Sequence, residues 1–438
     1  MNNFKENVEL YIDFSQKNGA SQTQLSLLYS DDFSVTIRNG VIEELDKSIS
    51  NILNLKINVN DKIASASTSD LRPSTINKLI LDTIQRAKYS EPDPFARLAD
   101  FVTNDFDVNN LQIFDPAIES IPIDEKIHKA RLLERICLAD KRISLSDGAF
   151  FSSSMSKVFL GNSNGFLSGF NSTSFATGIH LHTHDDNNSF EDGWYDNSVF
   201  YSDLLDIEQI ANIAVSRATR LIGARKIPSQ NLDVIFEPSV ASSLFGLLSA
   251  CISGNLIYMN RSCLANLLHN KIASDILTIN DIPNIPRSLG SIPFDSDGLP
   301  VLPLNIIENG ILNNYLLDSY YARKLNMPSN ARASGITNLI ISPGNFSLND
   351  LIHSTKKGLL ITSTIGQGTN ITTGDISKGA FGLMIEDGEI SFPVHEITFS
   401  ANLLTILNNI EAIANNPIKN RSIQAPSFKV NNISISGL

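Results

Sequence analysis

The spacing of apolar residues changes several times along the chain, and each change predicts an element. Phe4, Val8 and Tyr11 recur at helical spacing, and Asn18-Gly19 offers a stop. From residue 33 the period falls to two. Phe33, Val35 and Ile37 share one face of a strand that turns at Asn39-Gly40. Leu53, Leu55, Ile57 and Val59 share a face of the next, which turns at Asn60-Asp61. Spacings of three and four return at Ile76, Ile80, Ile84 and Ala87, behind Pro73 in the first turn of a helix. Helix, antiparallel meander and helix predict one α+β unit over residues 1–95.

The segment SEPDPF (90–95) is a turn-rich break. Residues 96–226 predict a middle α+β region with a helix near 124–140, several short strands around 143–200 and a helix near 206–223. ARKIPSQ (224–230) reads as a linker. Residues 227–438 then predict a strand-rich domain, with one helical stretch at about 238–252 and strands punctuated by Gly, Asn, Asp and Pro. The expected fold class is α+β: an N-terminal antiparallel sheet with helices, followed by a strand-rich C-terminal domain forming a curved sheet or partial barrel.

Composition bears on partners more than on fold. A net charge of −12 and the lack of any Lys/Arg run argue against direct contact with nucleic acid or anionic membranes. No run of about 20 apolar residues occurs, so no membrane span is expected. The opening MNNFKENVEL lacks the basic start and apolar core of a signal peptide. Cys137, Cys251 and Cys263 are scattered without CxxC spacing, which fits a reducing cytoplasm and predicts a cytoplasmic location.

The most conspicuous chemistry is GIHLHTHDD (178–186). On a strand, His180, His182 and His184 point to one face and Ile179, Leu181 and Thr183 to the other. His180 and His184 are then ~13 Å apart along the backbone, too far to ligate one zinc, whose ligand nitrogens lie within about 2.1 Å. Two neighbouring histidines could share an ion with ligands from another strand. The pattern favours a polar face against solvent or a subunit, and no metal ligand is assigned.

Other motifs are weaker. His395-Glu396 lacks the second histidine one turn on that a zincin helix needs, and Ile397, Thr398 and Phe399 favour a strand. GQGTNITTG (366–374) has neither Walker A lysine spacing nor a GxGxxG match, so its glycines are expected where backbone turns or approaches backbone. No catalytic residue is assigned.

Four long stretches point further: VTIRNGVIEELDKSISNILNLKINVNDKIASASTSDL (35–71), SIPFDSDGLP (291–300), IIENGILNNYLLDSYYARKLNMPSNARASG (306–335) and GQGTNITTGDISKGAFGLMIEDGEISFPVHEITFSANL (366–403). In this order and spacing they resemble the TldD/PmbA family over nearly the whole chain. The resemblance implies two kinds of subunit. TldD-type chains carry a HExxxH zinc motif on the helix after the domain boundary and a cysteine ligand near the C-terminus. PmbA-type chains, also called TldE, lack the motif and pair with TldD in an intracellular metallopeptidase linked to peptide maturation and antitoxin degradation. In this sequence the corresponding helix, VASSLFGLLSACISG (240–254), contains neither His nor Glu, and RSIQAPSFKV (421–430) contains no cysteine. A zinc site needs at least three protein ligands, so the chain resembles TldE and is expected to hold no cofactor of its own, the zinc lying in a TldD-type partner.

The resemblance further implies a heterodimer enclosing a chamber, in which this chain shapes access for unfolded peptides. Extended peptides are commonly gripped by strand addition. The candidate peptide cleft is Gly366–Asp375, where Gly366, Gly368 and Gly374 expose backbone and Gln367, Thr369, Asn370, Thr372, Thr373 and Asp375 offer hydrogen bonds. A surface built for a related partner is nearly self-complementary, so a homodimer is possible for the chain alone. The alternatives are a stand-alone peptidase with a different site and a regulatory binding protein of gyrase-modulator type.

Overall fold

The computed structural model describes residues 2–100, 102, 108–185 and 188–438; Asp186 and the side chain of Phe4 lie outside the described set. Helix α1 (Asn2–Lys17) precedes strands β1 (Gln22–Arg38), β2 (Val41–Val59) and β3 (Lys62–Thr68), and α2 (Pro73–Tyr89) follows. Both tight turns form where expected, with Asn39, Gly40, Asn60 and Asp61 all at positive φ. A short α3 (Val108–Leu111) and α4 (Ile123–Leu138) lead into β4 (Ile143–Asn162), β5 (Leu167–His184) and β6 (Ser189–Ser198), then α5 (Ile207–Thr219). The region around 143–200 therefore holds long strands of 20, 18 and 10 residues rather than several short ones. Its serine-rich stretches read locally as turns, but here they line strand faces whose backbone groups are satisfied by neighbouring strands.

These six strands form one antiparallel sheet in the order β3-β2-β1-β4-β5-β6, which runs unbroken across residue 95. Its helices share a face. Leu25 of β1 is buried with Val8, Ile76 and Ile80 of α1 and α2, while Phe33, Val35 and Ile37 of the same strand are buried with Ala130 of α4. All four β1 residues have odd numbers, and odd positions of one strand point one way. The even positions carry Gln24, Ser26, Ser30, Asp32 and Ser34, and form the polar face.

Strand β7 (Gln230–Phe236) opens the C-terminal part and feeds α6 (Pro238–Cys251) and the short α7 (Gly254–Tyr258). Strands β8 (Ile279–Asp281), β9 (Leu304–Glu308) and β10 (Ile311–Leu312), helix α8 (Ser319–Lys324) and β11 (Leu339–Ile341) come next. They are followed by α9 (Leu348–His353), β12 (Lys357–Ile365), β13 (Asp375–Glu386), β14 (Glu389–Asn402) and α10 (Leu403–Asn408). The chain ends with β15 (Ile410–Ile413), β16 (Ile423–Gln424) and β17 (Phe428–Ser436). The expected partial barrel closes: β14, β13, β12, β7 and β17 pair in sequence and β14 also pairs with β17, completing a five-stranded ring. A smaller sheet, β10-β9-β8-β11-β16, shares its core.

The short helices α7 to α10 were not expected, because five or six residues show no apolar period. Their signals are polar caps. Asp318, Ser347 and Asn402 each accept a hydrogen bond from the first turn, and Ser347 with Asp350 forms a reciprocal capping box. Ser347→Ala is expected to cost about 1 kcal/mol of stability, read as a lower denaturation midpoint at unchanged m-value. No helix among the described residues is long and apolar enough to cross a membrane.

Candidate functional site

Helix α6 has two faces. Val240, Ala241, Leu244, Phe245, Leu248 and Cys251 recur at spacings of one, three and four and are buried in the barrel core. The other face, with Ser239, Ser242, Ser243 and Gly246, lines a cleft of about 700 Å³. Opposite it lie Asp192, Gly193, Trp194 and Tyr195 of β6, Thr362, Ser363 and Thr364 of β12, and Arg421 to Ile423.

Two strand edges meet at this cleft. β6 is the last strand of its sheet and, among the described residues, pairs with β5 alone. β12 pairs with β13 as far as Ile365, but with β7 only as far as Ile361 opposite Phe236. The second edge of residues 362–365 therefore pairs with no strand among the described residues. Two buried polar atoms, Trp194 Nε1 and Ser363 Oγ, have neither a hydrogen-bond nor an ion-pair partner among the described residues. Buried polar groups normally have one. Both belong to residues that line the cleft.

A buried charge network holds these walls together. Arg217 of α5 donates to Asp192 Oδ1 at 3.1 Å, to Glu237 Oε2 at 3.0 Å and to the Thr362 carbonyl at 3.1 Å. Arg220, one turn on, grips both Glu237 oxygens at 2.6 and 3.0 Å. Arg217 also sits 5.4 Å from the centre of the Trp194 ring, and Arg421 stacks 3.8 Å from that of Tyr195 while donating to the Tyr195 carbonyl at 2.9 Å. Sequence reasoning missed all of these residues. The available signals were the paired arginines of SRATR at the end of an amphipathic helix and a lone Trp beside carboxylates in EDGWYDN.

The expected peptide residues lie elsewhere on the chain. Gly366, Gln367, Gly368, Thr369, Asn370, Thr373 and Gly374 lie in the largely exposed loop that follows Ile365 of β12, Asp375 opens β13, and none lines the cleft. Much of their hydrogen-bonding capacity is used internally: Asn370 N–H donates to the Asp375 carbonyl at 2.8 Å, Gly374 N–H to the Asn370 carbonyl at 2.7 Å, and Thr373 Oγ1 to Asp375 at 2.6 Å. Gly368 is required by close approach, since a Cβ there would meet the Ser377 carbonyl at 1.7 Å.

The histidines occupy one face of β5, as their alternation predicts. Ile179, Leu181 and Thr183 are buried, while His180 and His184 are exposed and His182 is half-buried. Asp147, from the neighbouring strand β4, joins two of them: its Oδ2 lies 2.8 Å from His182 Nε2 and 3.3 Å from His180 Nδ1. The His182 hydrogen bond holds the Asp147 carboxyl below the usual carboxylate range. His184 stands apart from this group. His395 and Glu396 lie on β14, with His395 buried edge-on against Phe190 and Glu396 paired to Lys226 at 2.5 Å.

The α6 face toward the cleft does not fit a zinc ion. Its hydroxyls are turned to backbone, Ser242 Oγ donating to the Pro238 carbonyl at 2.8 Å and Ser243 Oγ to the Ser239 carbonyl at 3.3 Å. Cys251 is buried in the core. Asp192 and Glu237 are engaged by arginines. No three-ligand set assembles on this helix.

Comparison with known proteins agrees with this geometry. Residues 116–222 match the PmbA/TldA metallopeptidase central domain and residues 229–437 its C-terminal domain. The chain is 34% identical to the Metalloprotease PmbA of Escherichia coli O157:H7, over 92% of this chain and 90% of that protein. It is 32% identical to the Metalloprotease PmbA homolog of Haemophilus influenzae, over 99% and 96%. A crystal structure from Bacteroides thetaiotaomicron, of a protein named as a candidate modulator of DNA gyrase, superposes with a TM-score of 0.94 at 28% identity over the full length of both chains. TldE from Thermococcus kodakarensis shares the fold, with a TM-score of 0.83 at 21% identity over 98% of this chain and all of that one. With an α6 that lacks zinc ligands and a match to PmbA proteins across nearly its whole length, the chain belongs to the PmbA/TldD metallopeptidase family and is of its PmbA type.

Proposed function

We propose that this chain is the non-catalytic, substrate-shaping subunit of a TldD/TldE-type metallopeptidase, working in the cytoplasm on unfolded peptides beside a TldD-type partner that carries the zinc. One observation carries the reading. α6 offers the cleft only hydroxyls, a valine and a glycine, yet two strand edges there pair with no further strand among the described residues, and Trp194 Nε1 and Ser363 Oγ are buried without a hydrogen-bond partner. Side chains engage the Gly193 N–H and the Tyr195 and Thr362 carbonyls and leave the other edge groups free of a strand. That suits gripping an extended backbone rather than cutting it. An added strand would take its hydrogen bonds from β6 or from residues 362–365, with little demand on its side chains. The loop Gly366–Asp375 continues directly from that edge and extends the path. The outer half of β2 suits a protein partner, since Val41, Ile42, Leu45 and Ile49 are all exposed on one strand; the same arm would serve a homodimer.

Trp194 is the chain's single tryptophan, so its fluorescence reports on the cleft without interference. Titration with an unstructured peptide is expected to give a saturable change in Trp194 emission. Ser363→Phe, which fills the cleft beside the unpaired edge, is expected to weaken binding about 5- to 150-fold, as an overpacking cost of about 1–3 kcal/mol implies. Peptide binding that leaves both Trp194 and the Ser363→Phe variant unaffected would place the substrate elsewhere.

A further inference from the structure

The geometry points to a second chemistry in this chain: Asp147, His180 and His182 form a binding site for one divalent transition cation of the zinc class at the rim of the cleft. The three side chains arrive by two local devices. His180 and His182 are i and i+2 on β5 and so project from the same face. Asp147 reaches that face through a β-bulge. Ser146 pairs with Leu181 and Gly148 with His180, which leaves Asp147 as an extra residue on β4. Bulges of this kind re-aim a side chain out of the strand's normal alternation. Gly148 makes the bulge feasible, with φ +109° and a position where a Cβ would lie 2.7 Å from Thr36 Cγ2.

The donor set and spacing suit such an ion. Two imidazole nitrogens and a carboxylate oxygen are a standard ligand set for zinc, with at least one position left for water or a substrate oxygen. Ligand atoms around a tetrahedral zinc at about 2.1 Å lie roughly 3.4 Å from one another. Asp147 Oδ2 is 3.3 Å from His180 Nδ1 and 2.8 Å from His182 Nε2, and all three atoms lie within 4.8 Å of one another. Side-chain rotation alone closes the remaining gap, because all three groups are at least partly exposed. Arg38 approaches only the other carboxylate oxygen, Oδ1, at 3.9 Å, so Oδ2 stays available. His180 also lines the cleft, so the group stands at the cleft's rim.

The test is zinc titration of the tag-free, metal-stripped chain, read by calorimetry and by the visible spectrum of the cobalt-substituted form. One zinc per chain is expected at low micromolar free zinc, with a cobalt spectrum of nitrogen and oxygen ligation free of thiolate charge-transfer bands. Loss of an outer hydrogen-bond partner alone typically weakens a metal site by about 10–100-fold. His180→Ala and His182→Ala, which remove ligands, should each weaken binding by more than about 100-fold. Asp147→Asn should weaken it at least about tenfold, while His184→Ala and Cys263→Ser keep wild-type affinity. Far-UV circular dichroism checks that the variants fold, and His180→Gln supplies a second change at the same position. Absence of one-to-one binding, binding that survives both histidine changes, or binding lost with Cys263→Ser would each overturn the assignment. This outcome is independent of the supporting-subunit reading, because it is measured on the chain alone without peptide.

Discussion

Mixed with a zinc-bearing TldD-type chain, this protein is expected to support cleavage of an unstructured peptide that neither chain cuts alone. A zinc site needs three or more protein ligands. α6 supplies serines, a valine and a glycine on its cleft face, and its one cysteine is buried in the core. On the proposed reading the partner brings the catalytic zinc, and this chain brings the walls that hold substrate extended. Chelation should stop the mixture. Ser363→Phe should lower its rate while leaving the two chains associated, as size-exclusion chromatography would report. Zinc loading of this chain by itself should produce no cleavage, and His180→Ala in the mixture should leave the zinc of the partner in place. Peptide cutting by this chain alone would overturn the supporting role, as would a partner that cuts equally well without it.

Removing the Glu237 charge should be the most destabilising single change near the cleft. Its side chain is 9% exposed and binds Arg217 and Arg220, which are themselves 13% and 21% exposed. Asp192, 8% exposed, is the second anion of the group. Glu237→Gln leaves two mostly buried guanidinium groups facing one carboxylate, and must turn an amide N–H₂ toward one of them. Breaking a buried pair by removing one partner costs about 3–5 kcal/mol, because the remaining charge stays desolvated. The damage is also local to function. Glu237 sits between β7 and α6, Arg217 on α5 with Arg220 directly after it, and Asp192 on β6, so the network clamps the cleft's two walls. Chemical denaturation should register the loss, and Trp194 emission should shift at denaturant concentrations below the main transition. A cost under about 1 kcal/mol would mean that water, not Glu237, satisfies the arginines.

Much of the cleft's scaffold was legible one residue at a time. The alternation at Leu53, Leu55, Ile57 and Val59, the turns at Asn39-Gly40 and Asn60-Asp61 and the spacing behind Pro73 are local preferences that the fold keeps. The face of α6 was legible too, since ligands absent from a sequence stay absent from the structure. Long strands β4 and β5 were underestimated because serine and glycine resemble turn residues until a neighbouring strand satisfies their backbone. The glycines and hydrogen-bonding groups of Gly366–Asp375 largely serve the loop's own turn.

The sequence by itself determined the element types, the α+β class, the family resemblance and the lack of zinc ligands on α6. These follow from short-range spacing and from residue identity, which folding does not change. Only the tertiary structure decided what those residues do together. It joined β14 to β17 to close the barrel, and brought Asp192, Arg217, Glu237 and Thr362 into one network. It left the edge of Thr362–Ile365 unpaired beside Trp194, and placed Asp147 against His180 and His182 through a bulge. Each of these depends on contacts between residues distant in sequence. Their geometry is set by strand register and sheet packing, and no local window of sequence encodes it.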